Sequence, residues 1–457
     1  MNLETSDHLT DGLAQDGAVS APSCLPQDRR KPRPAVSVIG IGDDGCASLP
    51  ARAFNALNRA QVLVGGERHL AFFPDFNGKK IPIKKGLEAL IDEISSLAED
   101  QNIAVLASGD PLFYGIGGRI ATRLGREQVD FLPGPSAMQW AFAKIGVKWD
   151  DATLLSVHGR PMDGLLTRLR SVSKAAIFTD GDHSPPVIAQ RMMDVGMTDW
   201  DAWVLENLSG PGERVRLFSV ETLSQETDVG TLNVLILLRR DSHWRSPPMM
   251  PYLPEEAFAR RMPKLGLITK KEIRALSLAS LKLSTQSVMW DIGAGSGSVA
   301  IEAAMISPQG RVYAIECDPE GVQICHENLK THQVDNVHII AGTAPDALRD
   351  LETPDAVFVG GSKGNMAAIL ALSYAKLRDG GRLVANAVTL DNVGEAYSAF
   401  KEMGLTPEVT LVQISRGVPL AGKYTRYEAL NPIHIFAVTK SGEPQAGKIA
   451  PEGGLPQ

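Results

Sequence analysis

The sequence has few cysteines, no excess of basic residues and no long apolar run. Only four cysteines occur in 457 residues, and none forms a CxxC pair, which is typical of a reducing compartment. No run of about 20 apolar residues and no amino-terminal signal-peptide pattern is present. The net charge of −7 argues against a nucleic-acid partner. We therefore predict a cytoplasmic protein with no membrane partner, no metal site and a small-molecule substrate.

The length and the hydrophobic pattern predict two α/β domains. Apolar runs alternate with helical stretches over residues 35–240, and a second alternating series covers residues 263–440. The first series predicts a largely parallel sheet, and the second a doubly wound, Rossmann-like sheet. Residues 241–262 are proline-rich and predict a linker. Residues 1–34 and 441–457 are polar and rich in glycine and proline, and are predicted to be a disordered leader and tail.

The segment Asp291–Gly297 is the strongest local motif. It follows the predicted buried strand Val288–Ile292 and opens a helix, which is where doubly wound folds bind ligands. Its glycines let the backbone approach a ligand closely. Glu316 ends the next strand about 20 residues later, where a carboxylate can accept hydrogen bonds from ribose hydroxyls. Asp291 either orients the loop or contacts an amino group of the ligand.

Three interpretations of this loop are compatible with the sequence: a methyltransferase site, a dehydrogenase site and a structural turn. Its spacing is G-x-G-x-G, which differs from the G-x-G-x-x-G pattern of dinucleotide-binding enzymes and favours a methyltransferase over a dehydrogenase. A purely structural turn is the third reading. Gly342–Pro345 and Gly360–Ser362 follow the next two strands, where we expect an adenine edge and the substrate, respectively.

Three glycine-containing turns mark the first domain. They are Gly40–Gly42, Ser108–Gly115 and Pro133–Ala137, each directly after a predicted strand. Each turn alone is an ordinary connection between a strand and a helix. The last turn opens a helix whose amino terminus offers free N–H groups, so the set predicts a second ligand site.

The ordered motifs of the second series resemble the precorrin-8w decarboxylase/methyltransferase family from residue 263 to residue 440. The segments that carry the resemblance are Leu267–Arg274, Asp291–Gly297, Ala314–Pro319, Gly342–Leu348, Phe358–Ser362, Asn386–Leu390 and Ala429–Pro432. This resemblance implies a Rossmann-like class I methyltransferase domain that methylates C15 of a corrin precursor. It also implies an S-adenosylmethionine site lined by Thr269, Asp291, Gly293, Ala294, Gly295, Ser296, Gly297, Glu316 and Ala344.

The motifs of residues 35–240 resemble the tetrapyrrole (corrin/porphyrin) methylases, and within them the precorrin-6Y C5-methylating branch. The segments are Val64–Leu70, Ser108–Gly117, His158–Pro161, Thr179–Pro185 and Leu205–Pro211. The resemblance implies that Gly42, Asp110, Leu112 and Ser136 lie near the methyl donor. His158 and Arg160 then face the substrate, with a structural histidine as the alternative for His158.

The two domains in this order resemble fused enzymes that methylate a precorrin at C5 and C15 and remove the ring C acetate carboxyl. This implies two S-adenosylmethionines per turnover, one per domain, a tetrapyrrole substrate and a homo-oligomer. Asn386 by location is a candidate catalytic residue, as is His158, and Ser362, Arg416, Lys423 and Arg426 are candidates for substrate contact. The alternatives are the same reaction on a cobalt-precorrin, a non-catalytic corrinoid-binding protein and a dehydrogenase.

Overall fold

The computed structural model describes residues 35–84, 86–260, 268–420 and 422–441. The predicted leader, nearly all of the predicted tail and the last two residues of the predicted linker lie outside these ranges. Within them, every helix is too short or too polar to span a bilayer.

The first domain begins with a five-stranded parallel sheet in the order β3-β2-β4-β1-β5. The central strands β1, β2 and β4 are buried along nearly their whole length, as is typical of parallel strands covered on both faces. The strands are β1 Val36–Ile41, β2 Val62–Gly65, β3 Lys79–Pro82, β4 Ile103–Ser108 and β5 Val129–Leu132. The helices are α1 Ala51–Arg59, α2 Glu67–Ala71, α3 Leu87–Leu97, α4 Gly117–Leu124 and α5 Ala137–Ile145.

A second five-stranded sheet completes this domain in the order β6-β7-β10-β8-β9. Only β6 and β7 pair in parallel, and the other pairs are antiparallel. The strands are β6 Thr153–Ser156, β7 Lys174–Phe178, β8 Trp200–Glu206, β9 Arg214–Ser219 and β10 Asn233–Arg239. The helices are α6 Leu165–Leu169, α7 Pro185–Asp194 and α8 Val220–Ser224. The prediction of one largely parallel sheet was therefore wrong for this half.

The second domain contains a seven-stranded sheet in the order β13-β12-β11-β14-β15-β19-β16, in which β19 runs antiparallel to both neighbours. This confirms the doubly wound, Rossmann-like prediction. The strands are β11 Val288–Ile292, β12 Arg311–Glu316, β13 Val337–Ala341, β14 Ala356–Val359, β15 Arg382–Ala387, β16 Glu408–Val412 and β19 Ile433–Thr439. The helices are α9 Lys271–Leu281, α10 Ser298–Ile306, α11 Pro319–Thr331, α12 Met366–Lys376 and α13 Leu390–Glu402. A hairpin of β17 Ser415–Leu420 and β18 Tyr424–Ala429 is inserted before β19.

The end of the predicted linker packs as part of the second domain. Phe258 is 3% exposed and belongs to the apolar core beneath the seven-stranded sheet, with Leu253 packed against it. The buried Arg274 and Glu302 form an ion pair at 2.8 Å, and Glu302 also accepts the N–H of Leu253 at 2.9 Å. The proline-rich composition of the segment did not predict this packing, because Arg274 and Glu302, which bind the segment, lie on α9 and α10.

Candidate functional sites

Three glycines bring the strand ends of the first domain into direct backbone contact. A Cβ on Gly40 would lie 1.9 Å from the carbonyl oxygen of Gly109 and 2.3 Å from the nitrogen of Gly134. The N–H of Gly134 donates to the carbonyl of Gly109 at 3.1 Å. Only glycine permits this approach, so the three predicted turns of this domain form one connected floor.

A cavity of about 600 Å³ opens above this floor, between the two sheets of the first domain. Gly42, Asp110, Ser136, His158 and Arg160 line it. The structure therefore brings together all but one of the residues assigned to the first site. Leu112 is 57% exposed and lines a neighbouring depression that shares Tyr114 and Arg160 with the cavity.

Two of the predicted donor-site residues shape the floor through local hydrogen bonds. The carboxylate of Asp110 accepts the N–H of Leu112 at 2.8 Å. Ser136 and Gln139 form a reciprocal capping box at the start of α5. The helix amino terminus that was predicted to offer free N–H groups therefore has two of them occupied.

His158 presents one free ring nitrogen at the cavity wall. Its Nδ1 lies 3.0 Å from the carbonyl oxygen of Thr179, and a carbonyl only accepts, so Nδ1 carries the proton in the neutral ring. Nε2 is then left as an acceptor. Arg160 lies beside it, with its guanidinium 5.2 Å from the centre of the Tyr114 ring. This wall can accept a proton and bind an anionic group.

His69 is a cavity residue to which the sequence reasoning assigned no role. It is 6% exposed, and its Nε2 lies 3.2 Å from Arg68 and 3.4 Å from the hydroxyl of Ser108. Burial, reinforced by the charge of Arg68, lowers the pKa of His69 to about 4. Asp43 pairs with Arg68 at 2.8 Å. His69 therefore stays neutral at physiological pH, and its place in the segment Val64–Leu70, which carries the family resemblance, was the available signal.

The glycine loop of the second domain lies at the carboxyl edge of its sheet, as predicted. Gly293, Gly295 and Gly297 all have positive φ angles between 56° and 77°. A Cβ on Gly293 would lie 2.8 Å from the backbone of Gly361, so this loop packs directly against the turn after β14. Ala294 and Ser296 lie in the same loop, and Ala344, 7% exposed, follows β13 at the same edge.

Asp291 is fully buried beneath this loop. Its Oδ2 accepts the N–H of Ala300 at 2.9 Å, in the first turn of α10. Burial raises the pKa of Asp291 to about 7 despite this hydrogen bond. Of the two predicted roles, this geometry supports the orientation of the loop and helix.

Glu316 organises the loop from the neighbouring strand. One carboxylate oxygen accepts the N–H of Gly295 at 2.8 Å, and the other accepts the N–H groups of Cys317 and Asp318 at 2.9 Å and 2.8 Å. The side chain is only 8% exposed. Contact with ribose hydroxyls stays a prediction, and these bonds hold the carboxylate in place for it.

Asn328 connects the glycine loop to the segment that joins the domains. Its carboxamide donates to the carbonyls of Ser296 at 2.8 Å and Ala259 at 3.0 Å, and accepts the N–H of Ala259 at 2.7 Å. No sequence motif pointed to this residue, because a lone asparagine on a helix is most often surface-exposed. Thr269, which was predicted to line the methyl-donor site, precedes α9, and its carbonyl accepts a hydrogen bond from Arg274 at 2.8 Å. Its contact with the methyl donor stays a prediction.

The predicted substrate residues of the second domain fall into two groups. Asn386 and Ser362 are each 8% exposed at the carboxyl edge, and Asn386 donates to the hydroxyl of Ser277 at 2.9 Å. Arg416 and Lys423 instead lie on the β17–β18 hairpin.

Arg416 already has two carboxylate partners. It contacts Glu255 at 2.7 Å and Glu272 at 2.6 Å. Burial alone would raise the pKa of Glu255, but the hydrogen bonds from Arg416 lower it to about 2. Arg426 pairs with Glu428 at 3.0 Å, and Lys423 is exposed. Substrate contact by the hairpin cations stays a prediction.

Comparison with known proteins matches two family models to the two domains. Residues 35–224 match the tetrapyrrole (corrin/porphyrin) methylases, and residues 262–440 match the precorrin methyltransferase domain. The chain is 34% identical over 409 residues to a precorrin-6Y C(5,15)-methyltransferase [decarboxylating] of Sinorhizobium sp, which covers 89% of this chain and 97% of that protein.

Two shorter relatives each match one domain. A cobalt-precorrin-7 C(5)-methyltransferase of Salmonella typhimurium is 35% identical over 200 residues, covering 44% of this chain and 98% of that protein. A protein of Pyrobaculum calidifontis named "Probable cobalt-precorrin-6B C(15)-methyltransferase (decarboxylating)" is 37% identical over 193 residues, covering 42% of this chain and 96% of that protein. Each domain thus has relatives that consist of that domain alone.

Proposed function

Because the chain belongs to the family of precorrin-6Y C(5,15)-methyltransferases (decarboxylating), we propose that it methylates precorrin-6Y at C5 and C15 and decarboxylates the ring C acetate. The product is precorrin-8x, an intermediate of cobalamin biosynthesis. The observation that carries this proposal is the presence, in one chain, of two glycine-lined sites on unrelated sheets. Each matches a methyltransferase family model.

We propose one S-adenosylmethionine per site and therefore two per turnover. When bound, this molecule supplies a methyl group on a positively charged sulfur. The residues fit such a ligand: Glu316 can accept hydrogen bonds from ribose hydroxyls, and a Cβ on Gly295 would meet nothing within 4 Å, so the loop leaves room there. In the first domain, Gly42 and Gly109 line the cavity, and Gly40 and Gly134 pack against each other beneath it.

Both methyl transfers need alignment more than strong acid or base catalysis. The meso carbons of the substrate are enamine-like nucleophiles, so each site aligns carbon, methyl and sulfur and excludes water. A new carbon–carbon bond forms, the carbon–sulfur bond breaks, and sulfur keeps its electron pair. In the first site, the free Nε2 of His158 is placed to accept the proton that the substrate then loses.

Decarboxylation belongs to the second site in this proposal. The carbon–carbon bond to the carboxylate breaks, its electrons enter the conjugated macrocycle, and carbon dioxide leaves. The remaining carbon takes up a proton. We propose that Asn386 and Ser362 orient the substrate at this edge. Both are buried, Asn386 lies near the end of β15 and Ser362 follows β14, which supports this role.

The test is incubation of the purified full chain with S-adenosylmethionine and metal-free precorrin-6Y, followed by product mass. The wild type is expected to add two methyl groups and lose one carbon dioxide. Glu316→Ala should block C15 methylation and decarboxylation, and Asp110→Ala should block only C5 methylation. No mass change with either the metal-free or the cobalt-containing substrate would contradict the proposal.

A cobalt-precorrin is the second candidate substrate, because both single-domain relatives carry cobalt-precorrin names. The full-length relatives do not, which favours the metal-free substrate. A direct competition between the two substrates, followed by product mass, distinguishes them.

We also propose that the protein is a cytoplasmic homo-oligomer, as the family resemblance implies. The mass of the purified full chain in solution, measured by light scattering, tests the oligomeric state. A monomeric mass at working concentration would contradict that part of the proposal.

A further inference from the structure

The two domains are joined by a buried polar contact at the start of α6. The carboxylate of Asp335, from the second domain, accepts the N–H groups of Leu166 and Thr167 at 2.9 Å and 3.0 Å. It therefore caps a helix of the first domain. The Thr167 hydroxyl, in a side chain that is 2% exposed, lies 2.8 Å from the same carboxylate.

Neighbouring groups extend this contact. Asp163 lies 3.5 Å from Arg311 and 3.6 Å from His338. A Cβ on Gly164 would lie 2.5 Å from the carbonyl oxygen of Pro308, so the two backbones nearly touch. Hydrogen bonds, ion pairs and close backbone packing together favour one fixed arrangement of the domains.

All of the second-domain partners lie at the amino edge of its sheet. Arg311 is the first residue of β12, and Asp335 precedes β13 by two positions. Glu316 and the glycine loop lie at the opposite, carboxyl edge. Because β12 has six residues and a strand rises about 3.3 Å per residue, the two edges are about 17 Å apart.

The first site lies in the domain that contributes α6 to this contact. His158 and Arg160 line its cavity, and the same connection between β6 and α6 reaches the interface at Asp163 and Gly164. The residues that line the first cavity lie between Ile41 and Val234, all within the first domain. The second site opens at the carboxyl edge of the seven-stranded sheet, away from the domain interface.

From this geometry we infer that the singly methylated tetrapyrrole leaves one site, enters solvent and rebinds at the other, so that the fused chain does not channel its intermediate. This inference rests on the proposed function. The sheet separates the two sites, and the buried contact around Asp335 opposes a rotation that would bring them together. Relatives that consist of a single domain are consistent with an intermediate that passes between sites through solvent.

An isotope-dilution experiment tests the inference on the wild-type full chain. The unlabelled intermediate is prepared with whichever of Glu316→Ala and Asp110→Ala accumulates it. It is then added to a reaction of precorrin-6Y with trideuteromethyl S-adenosylmethionine. The unlabelled intermediate is kept in about tenfold excess over the labelled intermediate that the enzyme releases. Mass action then predicts that about 90% of the early doubly methylated product carries one label instead of two.

The other outcomes are distinct. Product that carries two labels regardless of added intermediate would overturn the inference, whether transfer occurs within a chain or between chains of an oligomer. Absence of any methyl transfer would instead count against the proposed function, and the inference would fail with it.

An interface variant gives a second readout. Asp335→Ala removes the cap from α6 and should lower thermal stability, yet the overall rate should stay within about twofold of wild type, because encounter from solvent sets the transfer. Asp346→Ala, which removes an exposed ion pair with Arg349, is the matched control for loss of a carboxylate. A severalfold loss of overall rate in Asp335→Ala, with each half-reaction unchanged, would contradict the inference.

Discussion

The first domain encloses its site between two sheets, whereas the second presents its site at the edge of one sheet. The enclosed site depends on backbones that touch, as at Gly40 and Gly109. The edge site depends on buried polar side chains that hold a loop, as Glu316 and Asn328 do. The same chemistry can therefore be supported by close packing in one fold and by hydrogen bonds in another.

The sharpest way to break the first site is to add one methyl group to its floor. In Gly40→Ala the new Cβ would lie 1.9 Å from a backbone oxygen, which cannot move as a side chain would. We expect C5 methylation to fall at least about a hundredfold through misplacement of the reactants, with C15 methylation retained. Gly118→Ala is the control, since its Cβ would meet nothing within 4 Å. Product mass measures both, and a normal C5 rate in Gly40→Ala would refute the close-packing account.

The second domain should lose more stability when the cation of a buried carboxylate is removed than when the cation of an exposed carboxylate is removed. Arg416→Leu leaves Glu255, whose side chain is 4% exposed, and Glu272 without their cation. We expect a loss of about 2–3 kcal/mol in the free energy of unfolding of this domain, less than for a fully buried pair because Arg416 is partly exposed.

Arg426→Leu is the matched control for that variant. It removes a half-exposed pair with Glu428, for which we expect about 0.5 kcal/mol or less. Urea unfolding of both variants gives the comparison. Equal losses would show that Arg416 does not act through its buried partner.

Asn328→Ala should weaken the hold on the glycine loop of the second domain without unfolding that domain. It removes the hydrogen bond to the carbonyl of Ser296 and the two hydrogen bonds with Ala259, and loss of the bond to the glycine loop corresponds to about a tenfold effect on ligand binding. We expect the KM for S-adenosylmethionine in C15 methylation to rise by that factor, with kcat and C5 methylation little changed. Gln323→Ala on the exposed face of the same helix is the control. A fall in kcat alone would contradict a positioning role.

The two domains should respond oppositely to pH. The pKa of His69 is lowered to about 4, so its contribution to stability is complete above its unfolded value of about 6.5 and is lost as pH falls towards 4. The pKa of Asp291 is raised to about 7, so its contribution is complete below about 3.9 and is lost as pH rises through 7.

Two isosteric variants measure these contributions. Relative to wild type, Asp291→Asn should gain stability in the second domain between pH 5 and 8, by up to about 1.4 kcal/mol for each pKa unit. His69→Gln should lose the pH dependence of the first domain between pH 4 and 6.5. Unfolding curves across this range check both, and a stability difference independent of pH would refute the assignment.

Sequence motifs predicted the fold class of both domains but not the antiparallel sheet of the first domain, and the roles of the site residues stay predictions. Glu316 and the glycine loop could be found because a strand, a turn and a helix lie consecutively in the chain. The antiparallel hairpin of β8 and β9 was not expected, because an alternation of strands and helices favours parallel pairing. Phe258 was assigned to a linker because its local composition is proline-rich, although tertiary contacts bury it.

The sequence by itself determined the two families of motifs, their order and the position of the glycine turns at strand ends, because those features depend on local turns and strand ends. Only the tertiary structure decided that Asp335 caps α6, that Asn328 holds the glycine loop of the second domain and that the domain interface and the second site lie at opposite edges of one sheet. These facts depend on contacts between residues far apart in the chain. Burial and hydrogen bonding between distant segments have no local pattern, so no sequence motif encodes them.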